Sequence, residues 1–217
     1  MRTKALLLTA ALSAAGVATS MAQTAVYSVN IVGYINKTLN TGLSLIANQL
    51  NATPDNKVPT LFGTPAGFVT VSKFNAGTGN YDVSFWDPEN AFWSDANMVL
   101  NPGQGAFVDN ATGAALPLTF VGEVQLNSSI NIHSGLDAYS SVIPQAGTVA
   151  DILLPLPAAG IVTLFKFSNG SYSAFAYDAE NGFWGPSMPS VAIAEAFFLD
   201  NSSGAAMTWA RNFPVGP

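Results

Sequence analysis

Along most of the chain, apolar residues recur at every second position or in short runs, and Gly, Asn and Pro punctuate them. In a strand successive side chains face opposite sides of the sheet, so this is the pattern of many short strands. Val26–Ile35 is rich in β-branched and aromatic residues, and Leu43–Ala47 is a short apolar run. Phe68–Phe74 and Tyr81–Trp86 flank Asn75-Ala-Gly-Thr-Gly-Asn80 and read as a hairpin, with Tyr81, Val83 and Phe85 alternating with Asp82, Ser84 and Trp86. Ile161–Phe167 and Tyr172–Tyr177 repeat that hairpin across Asn169-Gly170. Gly105–Asp109, Leu118–Val121, Ala196–Asp200 and Met207–Ala210 read as four more strands. Asn56–Phe62 and Val149–Leu154 each suit one or two helical turns, and no segment beyond the N-terminal leader holds a longer helical period. The pattern predicts an all-β protein of antiparallel sandwich or barrel-like modules.

The two halves of the chain match. Asp87-Pro-Glu-Asn-Ala-Phe-Trp93 aligns with Asp178-Ala-Glu-Asn-Gly-Phe-Trp184, with five of seven residues identical. In the same order Lys73-Phe74 meets Lys166-Phe167, Tyr81 meets Tyr172, Phe107–Asn110 meets Phe198–Asn201, and Thr112–Ala115 meets Ser203–Ala206. Length differences fall in Gly/Asn loops, where insertions are tolerated. The matches predict an internal duplication, with module one in residues 23–123 and module two in residues 124–217. No Pro/Ser-rich linker separates them at Val121–Val124, so the copies are expected to pack closely across a pseudo-two-fold interface.

Residues 1–22 read as a cleaved signal peptide. Arg2 and Lys4 precede an uncharged Ala/Leu-rich run, and Ser20-Met21-Ala22 offers small residues for cleavage before Gln23. The run is too short to span a bilayer, and no later stretch resembles a transmembrane helix. The predicted location is extracellular, cell-surface or periplasmic. Only 9% of the 217 residues are charged, and the formal net charge is −6. Loss of the leader removes two cations and takes it to −8. That balance argues against nucleic acid and acidic membranes as partners. Nearly uncharged strands with few edge lysines need closed sheets or association, so self-association is an expected property.

Gly42-Leu-Ser-Leu-Ile-Ala-Asn-Gln-Leu50 resembles the G-W-N-L-I-S-N-P-L opening of a β-repeat module found in exported bacterial surface proteins. Asn56–Phe62, Val71–Phe74, the aromatic hairpin ending at Trp93, and Leu100-Asn-Pro-Gly-Gln-Gly-Ala-Phe-Val108 follow in that module's order. The opening Ser28-Val-Asn-Ile-Val-Gly-Tyr34 is similar to that of uncharacterised exported proteins of Gram-negative bacteria. Gln49 departs from the pattern, which has Pro there, and the second copy departs further at Gly135–Pro144 and Ala194-Glu-Ala196. The resemblance implies a β module, surface localisation and no assigned catalysis, without naming a ligand.

Candidate chemistry is sparse. With no cysteine there is no disulfide, thiolate metal site or cysteine nucleophile. His133 is the only imidazole; Ser134 and Asp137 are its neighbours on one loop, and no G-x-S-x-G elbow exists. Gly103-Gln-Gly105 leads into a strand, unlike a phosphate loop. Asp87, Glu89, Asp178 and Glu180 are calcium candidates, or else turn residues whose carboxylates bond their own backbone. Trp86, Trp93, Tyr177 and Trp184 are candidates to stack on sugar rings, or else core. The expectation is a secreted or cell-surface structural or interaction protein without catalytic activity, no cofactor required, with surface proteins or polysaccharide as partners. The alternative is a carbohydrate-binding protein using exposed Trp and Tyr residues.

Overall fold

A computed structural model of the chain describes residues 31–213. The predicted leader, residues 23–30 and the last four residues lie outside the described residues. Alternation sets the first lobe. Strands β1 (Val32–Leu39), β2 (Gly42–Ala47), β3 (Val69–Asn75), β4 (Asn80–Asp87), β5 (Phe92–Trp93), β6 (Gly105–Asn110) and β7 (Leu116–Glu123) surround one short helix, α1 (Val58–Phe62). Pro59 sits in the first turn of α1, where its missing N–H costs nothing, and Gly63 ends it at positive φ. Five strands pair in the order β2-β6-β3-β4-β5, and β1 pairs with β7, all antiparallel.

The second lobe follows the same plan. Its strands are β8 (Asn127–Ile132), β9 (Gly135–Tyr139), β10 (Gly147–Thr148), β11 (Ile161–Ser168), β12 (Ser171–Asp178), β13 (Phe183–Gly185), β14 (Ser190–Val191), β15 (Phe197–Asn201) and β16 (Met207–Asn212). The order β9-β15-β11-β12-β13 repeats that of the first lobe, and β8 pairs with β16 as β1 does with β7. Val149–Leu154, where one or two helical turns were expected, forms turns instead. Asp151 accepts from Thr148 N and Oγ1 there, and Pro155 cannot continue a helix. Strand β8 carried no clear sequence signal because its exposed face is Asn127, Ser129 and Asn131. Among the described residues no helix is long and apolar enough to cross a membrane.

Each lobe has its own core. Ile35, Leu39, Val69, Val71, Trp86 and Phe120 are buried in the first; Ile132, Val162, Leu164, Phe197 and Trp209 are buried in the second. A paired ribbon wraps each core by turning a corner between β1 and β2, and between β8 and β9. Asn110 and Asn201 hold these corners. Asn110 Nδ2 donates to Leu39 O and Ala114 O, while Oδ1 accepts from Thr112 N and Oγ1. Asn201 makes the same set with His133 O, Ala205 O and Ser203. Both are fully buried, and all their hydrogen-bonding capacity is used.

The lobes meet sheet face to sheet face. Leu45, Ala47 and Phe107 of the first pack on Ala138, Ala196 and Phe198 of the second, flanked by Phe74, Phe165 and Phe167. The contacts are reciprocal. Ile46 bridges Glu195 and Gln104 bridges Tyr139; Ala47 N donates to Ala194 O and Ser140 N to Gly103 O. Phe74 meets Phe198 edge-on at 5.6 Å and Phe107 meets Phe167 at 5.0 Å. Gln49, the residue that departs from the module pattern, is 1% exposed and stitches the seam. Its Nε2 donates to Ser141 O and its Oε1 accepts from Ala194 N.

Closest approach is at Gly105, where an added Cβ would lie 2.6 Å from Ala196 Cβ and 3.2 Å from Ala138 Cβ. Gly→Ala in a strand stabilises only where space and φ allow it; Gly105→Ala is expected to destabilise by about 1–3 kcal/mol in urea unfolding, with Ala196→Gly recovering most of the loss. Asn110→Ala and Asn201→Ala are each expected to cost about 1–3 kcal/mol or more, since buried carbonyls lose their donors.

Candidate functional site

The strand alternation that builds the cores also decides where the aromatic candidates go. Trp86 follows Ser84 on the inward face of β4, and Trp93 lies beside it on β5. Trp86, Trp93 and Trp184 are 5%, 6% and 6% exposed. Trp86 Nε1 donates to Pro65 O at 2.8 Å and Trp93 Nε1 to Gly63 O at 2.9 Å. Tyr177 is half-buried, its ring 5.4 Å from that of Trp184. The expected stacking platform of Trp86, Trp93, Tyr177 and Trp184 is therefore corrected: the three indoles are core, and the tyrosine packs on one of them. Exposed aromatic surface comes from the opposite face of the same strands, at Tyr81, Phe85, Phe92, Tyr172 and Phe183. On β4 alternation favours Tyr81, Val83 and Phe85 as the face against the core, yet Ser84 and Trp86 are the buried pair and the wholly apolar face is the exposed one.

The acidic candidates sit at hairpin turns. Asp87 Oδ1 accepts from Glu89 N and Asn90 N, and Oδ2 accepts from Asn90 Nδ2 at 2.9 Å. Asp178 repeats this with Glu180 N, Asn181 N and Asn181 Nδ2. Both oxygens of each carboxylate thus serve their own turn, and Glu89 and Glu180 extend into solvent. Among the described residues no group of three or more His, Asp or Glu side chains gathers as a metal cage.

His133 does meet Asp137, with Nε2 3.2 Å from Oδ2, and its Nδ1 lies 2.7 Å from Ser134 O. Ser134 Oγ donates to Asn201 O instead. Both ring nitrogens thus face oxygen acceptors and neither faces the serine hydroxyl, so the three residues form no nucleophilic relay.

Sequence reasoning missed the clefts along the seam. One of about 490 Å³ brings Lys73, Asp82 and Gln104 from the first lobe together with Asn131, Asp137 and Tyr139 from the second. Burial pushes the Lys73 amine down, opposed by the charges of Asp137 and Asp82. Burial, then the Asp137 charge, pushes the Tyr139 phenol up to about 12. Sequence signals did fall near this cleft, in Lys73-Phe74, Gly103-Gln-Gly105 and Asp137, but none joined the two lobes.

Asp55, Asp87, Asp151 and Asp178 are held below the ordinary carboxylate range, chiefly by hydrogen bonds from Thr60, Asn90, Thr148 and Asn181. A lowered folded-state value means that the unfolded chain takes up protons first on acidification. Their stabilisation is therefore complete above about pH 5 and drains away below about pH 4, through the folded-state values. Melting temperature is expected to be flat from neutrality to about pH 5 and to fall below about pH 4, less steeply in Asp87→Asn/Asp178→Asn. Excess EDTA is expected to leave melting unchanged; a drop of several degrees would put a cation at these turns. No protein-family model, curated protein or solved structure matches the chain.

Proposed function

We propose that the chain is an exported, cell-surface structural β module, built from two duplicated copies and acting without catalysis or cofactor by associating with like sheet faces. The observation that carries the reading is an exposed apolar strip beside the seam. Tyr81, Val83 and Phe85 on β4 and Phe92 on β5 are all exposed, as are Tyr172 and Phe183 on the second lobe. No charged side chain interrupts Tyr81, Val83 and Phe85 on that face.

The strip is continuous with the inter-lobe contact. Tyr81 touches Phe74 and Phe107, which are themselves part of the seam. One sheet face of this type already packs on its like within the chain, so a second copy is the partner the strip fits best. Exposed patches of this kind on an otherwise well-packed protein mark interaction surfaces. The N-terminal pattern and low charge support the exported location, and the position-by-position match of the two halves supports the duplication.

Two measurements test the reading. In sedimentation velocity, the chain from Gln23 is expected to self-associate at tens of micromolar, and Phe85→Ser/Phe92→Ser/Phe183→Ser to remain monomeric. A monomer at every concentration would overturn the associating role. Expression of the full chain in a Gram-negative host is expected to export a product that starts at Gln23; cytoplasmic retention with Met1 intact would overturn the location.

A further inference from the structure

The reciprocal seam creates two equivalent clefts, and they are not chemically equal. The second, about 480 Å³, is lined by Lys37, Ser44, Ile46, Lys166 and Glu195 among others. By the match between the lobes, Lys166 corresponds to Lys73, Glu195 to Gln104, Ser44 to Asp137 and Ile46 to Tyr139. Asp82 corresponds to Ser173.

In the second cleft the lysine that corresponds to Lys73 is paired with a carboxylate. Lys166 Nζ lies 3.0 Å from Glu195 Oε1 and also donates to Ser190 O. In the first cleft a neutral amide replaces that carboxylate. Lys73 Nζ donates to Gln104 Oε1 and to Val99 O, both at 3.0 Å. An ammonium has three protons, so one donor remains. The negative charge has moved outward to Asp82 on β4 of one lobe and Asp137 on β9 of the other. Asp82 receives a hydrogen bond from Asn75 Nδ2, and Asp137 is held by His133 and by its own neighbour Ala138 N.

Packing alone does not call for this arrangement, because the second cleft supports the same backbone with a local ion pair. The first cleft instead presents carboxylate acceptors from both lobes, a lysine donor between them and amide groups at Asn131 and Gln104. Phe74 and Ile130 add an apolar wall. Acceptors and donors alternating beside an apolar surface complement a ring that carries adjacent hydroxyls on one side and C–H groups on the other.

We propose that the first inter-lobe cleft binds a neutral or amine-bearing saccharide unit, whose hydroxyls donate to Asp82 and Asp137 and accept from Lys73 and Asn131. Two carboxylates at the rim exclude uronic acids by like-charge repulsion. The Trp residues take no part in this site, and of the apolar strip only Tyr81 reaches it, through its contact with Phe74.

The test is a titration of the chain from Gln23, observed through its ¹⁵N backbone and side-chain amide signals, with cellotetraose, a glucosamine tetramer and digalacturonic acid. Either of the first two is expected to shift the Gln104 and Asn131 amides, with Kd on the order of 1 mM or tighter. Asp82→Asn and Asp137→Asn are each expected to weaken binding about tenfold or more, since each removes a charge-assisted acceptor. Ser44→Ala, in the second cleft, is expected to leave binding unchanged. Digalacturonic acid is expected to give no shift. The proposal is overturned if neither cellotetraose nor the glucosamine tetramer moves these amides, if the shifts centre on Tyr81 and Tyr172 instead, or if both Asn variants bind as tightly as the parent while melting normally. The Phe85→Ser/Phe92→Ser/Phe183→Ser variant is expected to bind as the parent does, so failure here is distinguishable from failure of self-association.

Discussion

The close approach of two nearly uncharged sheet faces organises the rest of this structure. A five-stranded sheet has two faces, and each lobe's own ribbon covers only one of them. The other face holds Leu45, Ala47 and Phe107 in one lobe and Ala138, Ala196 and Phe198 in the other. Left in water, such faces would forfeit about 25 cal/mol for every Å² of apolar area. Small residues let the backbones come close at one point, and large rings fill the gap where they part. Gly105, Ala138 and Ala196 are the small residues, and Phe74, Phe107, Phe167 and Phe198 are the rings. This arrangement explains how a chain with so few charges supports stable strands.

Polar groups are used where the backbone must change direction. Asn110 and Asn201 do at each corner what a run of water molecules would do at a surface turn: each satisfies one carbonyl at the end of the ribbon strand and one in its own following loop, and receives donors from that loop. The repeated Asn-x-Thr/Ser-Gly-Ala-Ala stretch is therefore a corner motif with a physical reason for each polar position. The second lobe is less uniformly satisfied inside. Trp93 donates to Gly63 O, but its counterpart Trp184 has no hydrogen-bond partner for its buried N–H among the described residues. Arg211 lies among the buried residues of that lobe, where Phe120 stands in the first; it donates to Ile152 O and Gln145, and burial lowers its pKa.

Much of the fold was legible in the sequence. Period-two alternation placed the hairpins β3–β4 and β11–β12, and the Gly/Asn loops placed their turns. The two five-stranded sheets share one strand order, which the sequence did not state. Legibility ended where a pattern is compatible with two outcomes. Trp86 and Phe85 are adjacent, aromatic and on opposite faces, and only the assembled core shows that the tryptophan goes inside. The cleft was hidden for a different reason. Asp82 and Asp137 belong to different lobes, and no local spacing announces a site that exists only once two sheets have docked. Gln49 read as a blemish in a module pattern, yet it is the buried amide that crosses the seam.

The short connection between the lobes carries a further consequence. Only Val124, Gln125 and Leu126 separate β7 from β8. Joined so closely, the two faces meet as neighbours on one chain, at an effective concentration far above that of separate molecules. The seam therefore does not have to be strong enough to hold free partners together. Its surface can tolerate a polar cleft and a half-buried lysine that would weaken a true dimer. Tethering lets the two sides of the contact differ chemically, because the covalent link, rather than perfect complementarity, keeps the halves in register.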